Sequence, residues 1–511
     1  MPAVAPAAGP AVLEPSTTIT PAQLRAGQTA LVHDLAWASV CGALSGGVIL
    51  TAFALGLGAS PLQMGLLAAI PFAAQVAQWP ATLLIERVRR RRLIGVMTIS
   101  GGRLLIGLTA LLPLLTDLRM ALTLLLVAEV LIAVLHAVGA CAVNSWLHQL
   151  TPPSQLGAFF ARRLFWGTTV SCAATLAAGA LVEHGPGGQR GHELGPFAWA
   201  FALAALAGFV SSAFLARAPE PLMRDAGPLT GLIDRLRTPL RAPNFRRLLV
   251  FLAAWTVASN LAVPFIAVYL IEQLGHTLGT VTQLWVASQV ANALTLYLWG
   301  RLSDRLTNKG VLAVVLPLHF LGVLSLVFLD AVSDPQWQLG ALYVIHVALG
   351  IAAGGIGLAM GNLGLKLAPP AQATAFLAAI GLVSAVTGGL APVVAGALAQ
   401  LAEARELSAV VRWTAPGKAG EWTVVSFAHW DALFVLSAAL GLYVLHALSR
   451  VDEGREVGER EVVQEFLLEA WRSVNGLSSV AGNLGSLFAF ERLTERRKWW
   501  RTRGKPSRSH G

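Results

Sequence analysis

The sequence predicts an all-α membrane protein with twelve transmembrane helices in two pseudo-symmetric six-helix bundles. Three observations support this fold class: the low charge content, a set of long apolar segments and an internal repeat. Of 511 residues, 55% are hydrophobic and 13% are charged, which is about half the roughly 25% of charged residues in a soluble domain. The apolar segments and the repeat give the number and the grouping of the helices.

The repeat is a ten-residue stretch at 150–159 (LTPPSQLGAF) that returns at 367–376 (LAPPAQATAF), with Leu, both prolines, Gln, Ala and Phe matched. A Pro-Pro pair removes two amide donors and excludes helical geometry from the preceding residue, so each copy is predicted to be a corner between two helices. A second pair of acid-arginine sequences, Glu86-Arg87 and Asp304-Arg305, follows apolar segments at nearly the same offset. The two halves therefore share one plan.

Segments of the roughly 20 apolar residues that cross a bilayer predict the spans. They lie at 31–56, 62–85, 93–115, 119–149, 163–184, 196–216, 247–271, 280–300, 311–329, 337–367, 372–400 and 428–449. The polar, proline-rich stretch 217–246 is predicted to be a cytoplasmic linker between the bundles 31–216 and 247–449. Residues 1–30 and 450–511 are predicted to be cytoplasmic tails.

The distribution of Lys and Arg predicts the orientation. If the N-terminus is cytoplasmic, 31 of the 37 basic residues lie in inner loops and tails and five lie in outer loops. By the positive-inside rule, both termini face the cytoplasm of a multi-pass protein in the cytoplasmic (inner) membrane. The Arg-heavy, Lys-poor usage, 32 against 5, is typical of a GC-rich bacterium.

The composition also excludes several classes of function. The formal charge of +10 lies in short loops between spans, so it favours membrane topology over nucleic-acid binding. Cys41, Cys141 and Cys172 lie inside apolar runs without metal-type spacing, and we expect no metal and no cofactor. The sequence has no phosphate-binding Gly-Lys-Ser/Thr loop and no Gly-x-Ser-x-Gly turn, which argues against an enzyme.

Two segments of the C-terminal tail have distinct patterns. Apolar residues between 462 and 474 recur at helical spacing with Glu461, Glu465 and Glu469 between them, which predicts an amphipathic helix. Residues 496–501 (RRKWWR) combine cations with two Trp, a mixture suited to an anionic membrane surface. A solvated disordered tail is the alternative for the part after residue 475.

The inner loops carry a resemblance to a known family. Residues 300–309 (GRLSDRLTNK), with Gly300, Asp304 and Arg305, resemble the inner-loop signature of the major facilitator superfamily. The counterpart in the first half, with Glu86 and Arg87, keeps the acid-arginine pair and the basic cluster but not the glycines. The resemblance covers about 31–449.

The resemblance implies a transporter whose two bundles rock around a central cavity, so that a small-molecule substrate is exposed to each side in turn. It also implies that spans 1, 4, 7 and 10 line the cavity. Span 5 lacks the Gly-Pro-rich pattern of the drug antiporters: 167–179 contains no proline. A multidrug efflux antiporter is therefore the alternative rather than the first choice.

The inner-loop signature also has a physical rationale. Glu86 and Asp304 are predicted at helix ends facing the cytoplasm, where a carboxylate can bind arginines or a helix N-terminus in one conformation and release them in another. We therefore predict that Glu86, Arg87, Gly300, Asp304 and Arg305 form an inner gate. Arg89 to Arg92 are assigned to membrane topology alone.

Two charged residues are predicted near the middle of the membrane. Arg103 lies ten residues into span 3, and Glu129 lies ten residues into span 4, which enters from the other face. At about 1.5 Å per residue both reach a depth of roughly 15 Å. We predict that they form an ion pair that is exchanged for substrate charge or for a proton, with a purely structural pair as the alternative.

Further polar residues extend this predicted substrate and proton pathway. His136 and Asn144 share a helix face with Glu129, and the repeat offset relates Glu129 to His346 and Arg103 to His319. The small residues Ser39, Gly42, Ser45, Gly46 and Gly47 of span 1 are expected to allow close helix packing. The other pathway residues contribute a carboxylate and amides to spans 1, 7 and 8: Asp34, Asn260, Gln289 and Asn292.

The sequence thus predicts a proton-coupled secondary transporter of a small polar organic solute. Uncharged amides suit a hydroxylated or otherwise polar solute, and titratable groups at membrane depth suit proton coupling. The expected partners are the solute, protons and the lipid bilayer, and the protein is expected to be a monomer. A non-transporting membrane sensor or scaffold with the same fold is the alternative from another class.

Overall fold

The computed structural model describes residues 15–16, 18–151, 156–185, 194–223, 239–305, 307–332, 334–369, 373–402, 407–415, 418–427, 429–454 and 464. Within them the chain is nearly all helical, which confirms the predicted fold class. The α-helices are α1 (Pro21–Ser45), α2 (Gly47–Gly56), α3 (Pro61–Ala74), α4 (Gln78–Val88), α5 (Arg91–Thr109), α6 (Leu118–Leu150), α7 (Leu156–His184), α8 (Gly195–Arg217), α9 (Pro243–Ala262), α10 (Ile266–Glu272), α11 (Leu278–Arg305), α12 (Asn308–Leu326), α13 (Pro335–Leu367), α14 (Ala373–Ala402) and α15 (His429–Ser449).

Eleven helical segments within the described residues are long and apolar enough to cross a membrane, and each overlaps a predicted span. The predicted span 280–300 corresponds to α11, which has 28 residues and therefore a length of about 42 Å. It is less apolar than the others because it carries Gln283, Gln289 and Asn292. The fold is that of a multi-pass membrane protein in which α11 is the most polar of the long helices.

The ends of the helices follow from local sequence. Helix α1 begins ten residues before the predicted span, because Thr20 and Gln23 form a capping box and Pro21 occupies the first turn. Asp117 and Asp334, which lie at equivalent places in the two halves, accept hydrogen bonds from the first amides of α6 and α13. The duplication is therefore visible in the caps as well as in the spans. The predicted amphipathic segment of the C-terminal tail lies outside the described residues except for residue 464.

The two halves of the chain share a hydrophobic core at one end of the bundles only. We call this the junction end, and the end that carries the loops 86–92 and 301–309 the basic end. One buried apolar cluster contains Phe53 from the first half and Phe265 from the second. At the basic end, the cluster around Trp146 contains first-half residues and the cluster around Phe245 contains second-half residues. The halves are thus packed together at the junction end.

Glycines bring the helices of the two halves into contact at the junction end. A Cβ atom added at Gly65 of α3 would lie against the carbonyl oxygen of Pro392 in α14, and one added at Gly396 would lie against that of Pro61. In the same way, a Cβ atom at Gly179 of α7 would overlap a side chain of α11. Small residues allow backbones to approach this closely, so the pairs α3/α14 and α7/α11 hold the junction end closed.

A two-stranded antiparallel hairpin lies between α14 and α15, and the sequence did not predict it. Strand β1 (Leu407–Ala415) pairs with β2 (Lys418–Phe427), with an irregularity in the register between Ala409 and Val410. The hairpin adds a small β element to the predicted all-α fold.

Candidate functional site

The first half buries an ion pair near the start of its first span. Asp34 of α1 is 6% exposed, and its two carboxylate oxygens have different partners. Oδ1 accepts a hydrogen bond from Ser211 Oγ of α8 at 2.8 Å, and Oδ2 lies 3.3 Å from Nη2 of Arg163 in α7. Arg163 Nε also donates to the carbonyl oxygen of Leu31 at 3.2 Å. The pair therefore joins three helices, α1, α7 and α8.

Arg103 of α5 lies beside this pair. Its Nη1 donates to the Cys41 sulfur at 3.0 Å, and its side chain lies along Gly208 of α8, where a Cβ atom would overlap it. Its guanidinium is close enough to Asp34 and His136 to interact with both electrostatically. The predicted residues Asp34, Arg103 and His136 are thus brought together within the first half.

The predicted ion pair between Arg103 and Glu129 is wrong. Within the described residues Glu129 makes no hydrogen bond or ion pair, whereas Arg103 faces α1 and α8. Gly102 is the residue that faces α6, because a Cβ atom there would lie 3.0 Å from His136 Nε2. The next residue on a helix is rotated by about 100°, so Arg103 points away from α6. Glu129 lies seven residues before His136, or about 10 Å along α6, so Arg103 and Glu129 differ in depth as well as in direction.

The remaining predicted pathway residues make local contacts. Asn260 Nδ2 donates to the Thr256 carbonyl at 2.8 Å, and His346 Nδ1 lies 2.9 Å from the Leu342 carbonyl, so both bond within their own helix. Gln289 makes no hydrogen bond within the described residues, and Asn292 packs against the position of Gly354 on α13. Asn144 of α6 is exposed. None of these contacts joins the two halves.

The first span is broken near its middle. Helix α1 ends at Ser45, Gly46 is extended with φ −130° and ψ −171°, and α2 starts at Gly47, whose φ is +51°. A φ of this sign favours glycine. A Cβ atom added at Gly42 or at Gly47 would meet nothing within 4 Å. The predicted role of these two glycines in close helix packing is therefore wrong.

A cavity of about 190 Å³ lies at this break. Its wall is formed by the last turn of α1 and the first turn of α2, by Ser171 and Thr175 of α7, and by Trp285 of α11. Helix α7 belongs to the first half and α11 to the second, so the cavity lies where the two halves meet. Within the described residues, no group of three or more His, Cys, Asp or Glu side chains is placed to hold a metal ion.

A row of polar and small residues connects the ion pair to the cavity. On α7 the residues Arg163, Gly167, Ser171 and Thr175 follow one another at four-residue intervals, so they share a helix face. A Cβ atom at Gly167 would lie 3.3 Å from Ser39 Oγ of α1, which shows that this face lies against α1. The seam between α1 and α7 thus runs from a buried ion pair to a polar cavity.

Of the predicted gate residues, Glu86 is half-buried and Arg87 is exposed, and neither makes a hydrogen bond or ion pair within the described residues. A Cβ atom added at Gly300 would lie 3.8 Å from Leu358 Cδ1, which is an ordinary contact. Arg305 is exposed. The side chain of Asp304 lies outside the described residues. The inner gate remains a prediction.

The assignment of Arg91 and Arg92 to topology alone is wrong. Arg91 is fully buried, with Nε 3.2 Å from Glu220 Oε1, and the backbone amides of Arg91 and Arg92 donate to the same carboxylate at 2.7 and 3.0 Å. Glu220 follows the last helix of the first half, and these two arginines begin the third span. The carboxylate therefore clamps the start of α5 to the end of α8.

The second half has the same arrangement with other residues. Glu453 follows its last helix, and its carboxylate accepts hydrogen bonds from the amides of Asn308 and Lys309 at 3.2 and 2.7 Å. Lys366 Nζ lies 3.1 Å from Oε1 of the same carboxylate. Burial acts to raise the pKa of Glu453, but these hydrogen bonds outweigh it and hold the pKa below its ordinary value.

The sequence alone does not identify several of these residues. Arg163 resembles any other inner-loop cation, and Glu220 and Glu453 fall in the predicted linker and the predicted C-terminal tail. Their position directly after a bundle's last helix, at equivalent places in both halves, is a signal that could have identified the two glutamates. Ser171, Thr175 and Trp285 carry no comparable signal, because their common cavity depends on how α7 and α11 pack.

Comparisons with known proteins identify the fold. The family model of the Major Facilitator Superfamily matches residues 35–392. No curated protein sequence matches the chain significantly. Structures of similar fold include a point mutant of the nucleoside transporter NupG (12% identity, TM-score 0.62) and a D-xylose-proton symporter (13%, 0.60). A bacterial homologue of the iron transporter ferroportin in an inward-facing state is also similar (15%, 0.56).

The alignments cover most of both chains. They include 83%, 85% and 84% of this chain, respectively, and 99% of each of the three structures. At identities of this size the likeness shows the fold and not the substrate.

Proposed function

This chain belongs to the major facilitator superfamily and is a membrane transporter, and from that premise we propose that it is a proton-coupled secondary transporter of a small polar organic solute. The observation that carries the proposal is the seam between α1 and α7. It places a titratable ion pair, which is buried within the first half, and a cavity with three hydroxyl groups on one continuous face, and the cavity lies at the boundary between the two halves.

The packing of the halves supports alternating access. They share an apolar core at the junction end, whereas the apolar clusters at the basic end belong to one half each. Rocking of the bundles would separate the α3/α14 and α7/α11 pairs and bring the basic ends together. By the positive-inside rule we propose that the basic end and both termini face the cytoplasm, which makes this the inward-facing state.

The geometry around Asp34 supports proton coupling. An ion pair at this depth is costly unless both partners are compensated, and here Ser211 and the Leu31 carbonyl supply the remaining hydrogen bonds. Protonation of Asp34 would remove the charge that holds Arg163 and so loosen α7 from α1. Because α7 also contacts α11 of the other half, a proton on Asp34 can change the packing between the halves.

The structural neighbours support a small polar solute. They are a nucleoside transporter, a D-xylose-proton symporter and a bacterial homologue of an iron transporter, so the fold accommodates solutes of different chemistry. The cavity of this chain is lined by uncharged residues, which favours an organic solute over a metal ion. The efflux antiporter would have the same cavity but the opposite direction of net transport.

Reconstituted full-length protein provides the test. We expect proteoliposomes with an imposed pH gradient to accumulate a radiolabelled solute from a panel of monosaccharides and nucleosides. We expect Asp34→Asn to abolish accumulation against a gradient while retaining exchange of labelled for unlabelled solute, because exchange needs no net proton movement. Glu129→Gln is the matched control, because Glu129 has no partner within the described residues, and it should retain both activities.

Four results would contradict parts of the proposal. Wild-type uptake that ignores the pH gradient would exclude proton coupling. Accumulation by Asp34→Asn at the wild-type level would exclude Asp34 as the coupling residue, and loss of accumulation in Glu129→Gln alone would assign that role to Glu129. Binding of a solute without any flux would instead indicate the sensor.

A further inference from the structure

The cavity at the break of the first span has an unusual lining. Its volume is about 190 Å³, and every residue that lines it is uncharged. Its polar side chains are the hydroxyl groups of Ser39, Ser171 and Thr175 and the indole of Trp285. The ion pair of Asp34 and Arg163 lies on the same seam but does not line the cavity.

The three hydroxyl groups are not used by their own helices. In a helix, Ser and Thr commonly donate to the carbonyl three or four residues earlier, and Thr98, Thr256 and Thr387 do so here at 2.7 to 2.8 Å. Ser39, Ser171 and Thr175 make no hydrogen bond within the described residues, although Thr175 is only 8% exposed. None of the three oxygens is among the fully buried polar atoms without a partner, so they are accessible at the cavity wall and available to a ligand.

The break adds backbone groups to the same wall. The first amides of a helix and the last carbonyls of a helix have no partners within that helix. The backbone of Gly46 is paired, because its N–H donates to the Gly42 carbonyl at 2.9 Å and its carbonyl accepts from the Leu50 amide at 3.4 Å. Gly47 and Val48, at the start of α2, also line the cavity and place the first amides of that helix at its wall. Amides at the start of a half-helix can donate to a polar group of a ligand.

Trp285 supplies an apolar face opposite these groups. Its side chain is 43% exposed even though α11 packs against α7. An indole can pack against the apolar C–H face of a ring. A charged ligand would find no counter-ion in the wall, and an unpaired charge at membrane depth is costly.

We propose that this cavity is the solute site and that the group bound in it is an uncharged ring bearing several hydroxyl groups. The ring is held by Ser39, Ser171, Thr175 and the first amides of α2, with its C–H face on Trp285. The proposal rests on the proposed transport function and specifies the substrate class. It predicts that neutral sugars bind and that analogues with a charge on the ring do not.

A glycine on the cavity wall gives the sharpest test. A Cβ atom at Gly42 would meet no protein atom within 4 Å, so Gly42→Ala puts a methyl group into the cavity without a clash and favours the helix. We expect purified Gly42→Ala to melt no lower than wild type and to bind the best neutral sugar at least tenfold more weakly. Gly340→Ala, an exposed glycine with equally open space on α13, is the control and should bind normally.

The ligand class is tested with matched probes on the same full-length protein. The probes are D-glucose, D-xylose and uridine, with D-glucuronate and D-glucosamine as charged counterparts, and binding is measured by equilibrium dialysis of radiolabelled compounds. We expect at least one neutral probe to bind and both charged ones to fail, and we expect Thr175→Val and Ser171→Ala to weaken binding of that probe about tenfold each. Ser325→Ala, at a helical hydroxyl bonded to its own backbone, should change nothing.

The outcomes separate this proposal from the proposed function. Preferred binding of a charged probe, or wild-type affinity in Gly42→Ala and Thr175→Val, would overturn the site while leaving transport intact. Binding of the neutral probe that depends on these residues, without flux in proteoliposomes, would support the site and overturn the transport function. Failure of every neutral probe to bind would overturn the proposed substrate class.

Discussion

The two halves of the protein share their architecture but differ in what they bury. In each half a glutamate after the last helix clamps the start of the third span, Glu220 in the first and Glu453 in the second. The first half also buries the ion pair of Asp34 and Arg163 within its bundle. In the second half, the residues that the repeat offset relates to Arg103 and Glu129 are the histidines His319 and His346. His319 packs against an indole ring at 4.9 Å.

This difference indicates a division of roles between the halves. A clamp that joins the end of a bundle to its own third span keeps that bundle rigid, which rigid-body rocking requires. Because the clamps occur in both halves, they serve the shared architecture. The ion pair occurs on α1 and α7, beside the cavity, and so belongs to the proposed transport cycle rather than to the architecture.

The largest expected effect comes from removing one partner of the buried pair. Arg163→Met leaves the Asp34 carboxylate buried without its counter-ion, which costs about 3–5 kcal/mol. In the second half, His346→Gln should cost only about 1 kcal/mol, because one neutral hydrogen bond to a carbonyl is lost. Thermal melting of the purified proteins in detergent measures both.

The double variant Arg163→Met with Asp34→Asn provides the control for this prediction. It leaves no unpaired charge, so it should recover most of the lost stability. A double variant as unstable as Arg163→Met alone would show that the guanidinium acts through packing and its bond to Leu31 rather than through the charge of Asp34.

Substitutions at the two clamps are expected to cost less stability than Arg163→Met. Arg91 and Glu220 are both fully buried at the clamp, whereas the side chain of Lys366 at the Glu453 clamp is 53% exposed. Glu220→Gln should therefore destabilise the protein by about 3 kcal/mol and Glu453→Gln by about 1 kcal/mol. Equal losses of melting temperature in the two variants would show that the amide hydrogen bonds, which both clamps share, carry the energy.

The sequence predicted the spans well and the contacts between helices poorly. Apolar length and the Pro-Pro repeat placed the spans, because both depend on residues close in sequence. Counting residues predicts one depth for Arg103 and Glu129, but the α5/α6 contact places Glu129 about two helical turns away along α6. Their pairing also depended on which face of α5 meets α6. That face is set by Gly102 against His136, a contact between residues distant in sequence.

The candidate site was hidden for a related reason. Gly46 and Gly47 look like small residues for helix packing, and only the backbone angles show that they break the span. Arg163 looks like a topological cation at the start of a span, and its role depends on Asp34 of another helix. Each of these functions comes from an arrangement of three or more helices, for which a single sequence gives no direct signal.

The smallest expected effect is the acid sensitivity of the second clamp. Hydrogen bonds from Lys309, Asn308 and Lys366 hold the pKa of Glu453 below its ordinary value of 4.5 despite its burial. A carboxylate with a lowered pKa in the folded state contributes stability above its unfolded pKa, and this contribution is lost as the pH falls through the folded value. The melting temperature of the wild type should therefore fall as the pH is lowered below about 4.5. Because the glutamine of Glu453→Gln cannot titrate, the melting temperature of this variant should fall less than that of the wild type over the same pH interval. An identical acid-induced loss of melting temperature in both proteins would place the sensitivity at another carboxylate.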